Sequence, residues 1–168
     1  MNPLNDWLAE LSDPMPLSFR NPNDPVCLSQ SESLRQALKQ SSTPSGGVLE
    51  ALAYLRIGLM EPAHGNVQDA TLGIEAYVHG VIHRMEGDYW NAKYWFARVQ
   101  DAQLLTSIAK HIEELGSAPG ILAQEWTGPE SFVNACQARR SAPNDALVDL
   151  AWLEWQALWR IAKEKNPR

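Results

Sequence analysis

Apolar side chains recur along this chain at intervals of three and four residues, and no segment alternates convincingly with the period of two that a strand needs. The pattern predicts an all-α fold, a compact bundle of about six or seven helices. Residues 1–30 stand apart, interrupted by Pro3, Pro14, Pro16, Pro22 and Pro25. They predict a short helix over 5–11 and then an extended arm anchored by Trp7, Phe19 and Val26, because proline disfavours both helix interiors and central strands. A single helical domain is expected over 31–168. Its first helix is read over 31–40 on Leu34, Ala37 and Leu38, followed by a loop over 41–47. A broad apolar face of Val48, Leu49, Leu52, Leu55, Leu59 and Met60 predicts the next helix. Pro62 ends it, which leaves 61–65 as a short connection carrying His64.

The stretch 76–99 is the densest in the chain. It holds His79 and His83, Trp90 and Trp95, and three of the four tyrosines. It reads as a helix over 75–86, a turn at Gly87 and Asp88, and a second helix whose Ala92, Trp95, Phe96 and Val99 repeat at i, i+3, i+4, i+7. Gly87 suits a C-terminal stop and Asp88 the N-cap that follows it. Further on, Leu105, Ile108, Ala109, Ile112 and Leu115 predict a helix over 102–115 with Gly116 as its stop. A loop from Gly120 holds Trp126. Pro129 opens a helix to about Arg139 with Phe132, Val133 and Cys136 inward, and a last helix runs from 144 to about 163. Trp152, Trp155 and Trp159 share one side of that last helix and read as core or as a packing seam.

On the helix over 75–86, Ile74, Val78, Ile82 and Met85 make the core stripe. Glu75, His79, His83 and Glu86 make the stripe beside it, at spacings of four, four and three. The tetratricopeptide frame fits this hairpin at Gly80, Gly87, Tyr89, Ala92 and Phe96, with Gly80 small enough to let the two helices approach closely. Only one such unit is found, so a single packed hairpin is the simpler reading. His79 and His83 then occupy positions that a packing repeat fills with Leu and Tyr, so both are expected to face a neighbouring helix. Buried imidazoles need partners, and Glu75 and Glu86 are nearest by helical spacing.

Two histidines at i, i+4 are also a metal-ligand spacing, and His64 could add a third ligand. Three ligands with an open position would hold a divalent transition metal such as zinc and suit metal-assisted hydrolysis. Gly80 stands where an HExxH motif has its base, so that motif is absent and Glu86 or Glu75 would have to serve. A His/Glu network that only sets helix register is the plainer alternative. Asp88 and Asn91 form a further polar group at the turn, and Arg84, about 140° from His79 on the helical wheel, is expected in solvent by default, with a salt bridge to another helix as the alternative.

Composition narrows the partners. The net charge is −6 and no Lys/Arg-rich run occurs, so nucleic acid is not expected. The apolar runs are only a few residues long, and the start of the chain is polar and acidic, so neither a membrane span nor a signal peptide is expected. Cys27 and Cys136 are far apart and outside any CxxC, which favours reduced thiols in a cytoplasmic protein.

The run from His83 to Trp95, HRMEGDYWNAKYW, resembles the HRxEGDxxNAxYW signature of a family of small bacterial and fungal proteins with no settled activity. Glu61-Pro-Ala-His64, Trp126, Phe132 to Cys136, and Glu154-Trp155 fit the same family in order, so the resemblance spans roughly residues 50–160. It supplies no reaction. It implies that His64, His79, His83, Glu86, Asp88 and Asn91 belong to one site. The working expectation is a metal- or small-molecule-binding helical protein, a metal-assisted hydrolase in its sharpest form. In that form His64, His79 and His83 hold the metal, Glu86 and His83 are catalytic, and Glu75, Asp88 and Asn91 bind ligand. The alternative is a non-catalytic module whose hairpin and tryptophan surface bind a protein partner.

Overall fold

The computed structural model of this chain describes residues 3–12, 14–41, 46–115, 126–139 and 145–165. Among them, nine helices and no strand are found. They are α1 (Pro3–Glu10), α2 (Pro25–Gln40), α3 (Val48–Arg56), α4 (Met60–Gly65), α5 (Gly73–Glu86), α6 (Tyr89–Ala97), α7 (Ala102–Leu115), α8 (Pro129–Ala138) and α9 (Asp145–Lys165). The all-α expectation holds. The expected six or seven helices were too few, in part because one expected helix is broken in two at Gly58, where apolar spacing gives no warning.

The α5–α6 hairpin forms where it was expected. Gly87 closes α5 in the left-handed conformation, and the Asp88 carboxylate caps α6 by accepting the Asn91 backbone N–H at 3.2 Å. The two helices touch at Gly80. A Cβ placed there would lie 2.8–3.0 Å from three carbons of the Phe96 ring, closer than side chains pack, so only glycine admits this contact. Tyr77 meets the same ring edge-on, with centroids 5.0 Å apart.

α5 is buried on almost every side. Ile74, Tyr77, Val78, Val81, Ile82 and Met85 join the core, and His79 and Arg84 are buried with them. α6 covers one side, α3 and α4 a second, and α9 reaches the Arg84 side through Glu154. Elsewhere α9 packs on α3 and α7, and α6 packs on α8. The tryptophan stripe is a seam, as expected. Trp155 is buried and donates its indole N–H to the Leu52 carbonyl at 2.8 Å, while the half-buried Trp152 and Trp159 each stack on it with centroids 5.3 Å apart.

Three sequence readings need correction. The helix expected over 31–40 begins at Pro25, because the Asp24 carboxylate caps it by accepting the backbone N–H groups of Val26 and Cys27 at 2.9 and 3.4 Å. The proline taken to belong to an arm is the first residue of a helix. Val26, expected as an anchor, is exposed on that helix, whereas Trp7 is buried and donates to Ser33 at 2.9 Å, so α1 packs on α2. The helix expected from Val48 to Met60 breaks at Gly58, where φ is +74° and the carbonyl accepts the Arg20 N–H at 2.9 Å. His64 consequently lies on the short helix α4 and not in a connection. The predicted stop at Gly116 and the loop from Gly120 to residue 125 lie outside the described residues.

Candidate metal centre

α4 packs against α5, and the histidines of the two helices converge there. His64 comes from α4; His79 and His83 come from successive turns of α5. The Nε2 atoms of His64 and His79 are 3.0 Å apart. One donor atom from each of the three rings lies within 4.8 Å of the others. Three such atoms share a centre no more than about 2.8 Å from each, against the 2.0–2.1 Å of a Zn–N bond. Around a tetrahedral ion two such nitrogens stand about 3.3 Å apart, so the His64–His79 pair is already close to ligand spacing. The third ring has to move in by roughly an ångström, within reach of a side-chain adjustment.

Stacked rings hold the central imidazole. The His79 ring lies parallel to Trp95, with centroids 3.8 Å apart, and nearly parallel to His83 at 4.9 Å. Its side chain is only 4% exposed. Burial, followed by the neighbouring His64 and His83, lowers its pKa from 6.5 to about 4. It is therefore neutral at pH 7, the form a metal requires. Its Nδ1 is buried and meets no partner with hydrogen-bond geometry, although the Val67 backbone is near enough to oppose the downward shift.

His83 is oriented from outside the cluster. Its Nδ1 is 2.7 Å from a Glu86 carboxylate oxygen, one helical turn away. The Asn91 amide nitrogen lies 3.3 Å from Nδ1 and 3.2 Å from Nε2. A group nearly equidistant from both ring nitrogens lies off the axis of either lone pair, so Asn91 touches the ring without saturating it.

The six residues implied to share a site are therefore not equivalent. His64, His79 and His83 adjoin one another, and Glu86 and Asn91 join the group through His83. Asp88 is the exposed cap of α6, joined to the group only through the Asn91 backbone. Glu75, expected to partner a buried histidine, is exposed in the first turn of α5 and makes no hydrogen bond to the cluster among the described residues. At spacing four, a side chain near the helix start reaches solvent before it reaches His79.

Two side chains stand elsewhere than the sequence placed them, and only the first belongs to the cluster. Trp95 was read only as a packing position, but its ring forms one wall of the cluster. Arg84, expected in solvent, is buried. Its guanidinium donates through both terminal nitrogens to Glu154 of α9, to Oε1 at 3.1 Å, and lies over the Phe132 ring at 3.9 Å. The Tyr77 hydroxyl donates to the same Oε1 at 2.8 Å. Burial would lower the arginine pKa, but the facing Glu154 outweighs it and raises it; burial and then Glu154 push Tyr77 well above its usual value. Glu154 is buried between these two donors, so this is a structural ion pair separate from the histidine cluster. Cys136, expected in the core, is half-buried, and burial pushes its thiol up. No protein-family model, curated protein or solved structure matches this chain.

Proposed function

We propose that the chain binds a divalent transition metal of the zinc class through His64, His79 and His83, and that a small molecule reacts or binds at the position the ion leaves open. One observation carries this reading: three imidazoles from two helices, with donor atoms within 4.8 Å of one another, the central one held neutral by burial. Without an ion the His64–His79 contact is one N–H···N hydrogen bond and His79 Nδ1 stays buried without a partner; with one, the three imidazoles form a ready donor set. Three neutral nitrogen donors suit zinc, cobalt, nickel or copper over magnesium or calcium. An ion so held can lower the pKa of its bound water to about 7, the basis for the finer reading as a metal-assisted hydrolase. The resemblance to the HRxEGDxxNAxYW family implies a site that includes the same three histidines.

Elemental analysis of the full chain purified from zinc-supplemented medium tests the reading. The expected result is one transition metal ion per chain, lost in His79→Ala and His83→Ala variants that keep their helical circular dichroism. A metal-free wild type that also takes up no added zinc overturns it.

A second reading rests on a different observation. Trp90 and Tyr94 on α6 are 78% and 46% exposed and stack with centroids 6.2 Å apart. Two large rings left in water support a protein-binding hairpin in place of the expected tryptophan face of α9, where Trp155 is buried. Trp90→Ser should then abolish binding to that partner while leaving zinc uptake intact.

A further inference from the structure

We propose that Glu86 is a positioning residue that fixes the tautomer of His83, and that it is not the general base of the site. The inference rests on the metal reading above and concerns what this chain's own carboxylate does there. Glu86 Oε2 lies 2.7 Å from His83 Nδ1, three residues along the same helix, so the helix itself sets the spacing. A carboxylate only accepts hydrogen bonds. His83 Nδ1 therefore carries the proton, and in the neutral ring Nε2 keeps the lone pair. Asn91 lies off both lone-pair axes and does not claim it. Nε2 is the nitrogen left for an ion.

The same geometry removes Glu86 from base catalysis. The two ring nitrogens point to opposite sides of the imidazole. An ion about 2 Å beyond Nε2 and an oxygen 2.7 Å beyond Nδ1 stand roughly 6–7 Å apart. Water bound to an ion held there would stay at least about 4 Å from the carboxylate, beyond the 2.6–3.2 Å of direct proton transfer to a general base. The sequence reading of Glu86 as base thus gives way to a carboxylate–histidine pair that orients a ligand and raises its basicity.

Two variants separate the roles. In Glu86→Gln the side-chain amide oxygen still accepts from Nδ1, whereas Glu86→Ala removes the acceptor. Glu86 is exposed near the end of α5, so neither change opens the core. In metal-free, ¹⁵N-labelled protein, two-bond proton–nitrogen spectra of His83 should show the Nδ1–H tautomer in wild type and Glu86→Gln, and a shift towards Nε2–H in Glu86→Ala. Competition of a chromophoric chelator for Zn²⁺ should show affinity about 10- to 100-fold weaker in Glu86→Ala and close to wild type in Glu86→Gln. A wild-type His83 in the Nε2–H form, or unchanged tautomer and affinity in Glu86→Ala, overturns the proposal. If wild type takes up no zinc, the metal reading fails, and the tautomer spectra still decide whether Glu86 orients His83.

Discussion

At the scale of single residues, His79 shows how burial turns an ordinary side chain into a pH-sensitive one. Its folded pKa, about 4, lies below the 6.5 of an unfolded histidine, so the fold favours the neutral ring. That contribution is complete above pH 6.5 and is lost as pH falls from there through 4. In metal-free protein the stability advantage of wild type over His79→Leu should shrink by about 2–3 kcal/mol between pH 7 and pH 4, measured by urea unfolding at each pH. An advantage constant over that range would mean that His79 is not held neutral. Gly80, the next residue, carries a steric demand. In Gly80→Ala the new Cβ meets the Phe96 ring at 2.8–3.0 Å, so the ring or the helix that carries it must shift. A loss of about 1–3 kcal/mol is expected in the same assay. Both residues stood out in the sequence: His79 by occupying a packing position, Gly80 by being small enough to let two helices approach closely.

Helices differ in how far they can be read alone. The α5–α6 hairpin was legible because its stop, cap and apolar stripe are all local. The other side of α5 was not. A helical wheel puts Arg84 away from the core stripe and stops there, since it cannot know that α9, some seventy residues later, covers that face with Glu154. Breaking this pair leaves one buried charge without its partner. Glu154→Leu or Arg84→Met should each cost about 3–5 kcal/mol, whereas the two together should recover most of the loss. Thermal unfolding of the two singles and the double makes the cycle, and additive losses would contradict a direct buried pair. The same locality explains α2, whose start is set by a side-chain cap at Asp24 that hydrophobic spacing does not register.

For the molecule as a whole, a metal bound only by the folded chain raises stability by mass action. Zinc at about 100 times its Kd should add about 2.7 kcal/mol, a rise in Tm of roughly 5–10 °C in a domain of this size. Differential scanning fluorimetry with and without zinc measures it, and His64→Ala should abolish the rise, because the site then spans one helix and no longer ties α4 to α5. Among the described residues no helix is long and apolar enough to cross a membrane.

Local chemistry settled the fold class, the turn at Gly87 and Asp88, the pairing of α5 with α6, and the stripe that carries His79 and His83. Each depends on side chains within a turn or two of one another, where helical geometry fixes distances in advance. Three features were decided only in the folded chain: that His64, offered by the sequence as a third ligand, does turn onto the other two histidines after the break at Gly58, that Trp95 stacks on His79, and that Arg84 is buried against Glu154. Each is a meeting of helices, and no periodicity within a helix states which neighbour will lie across it.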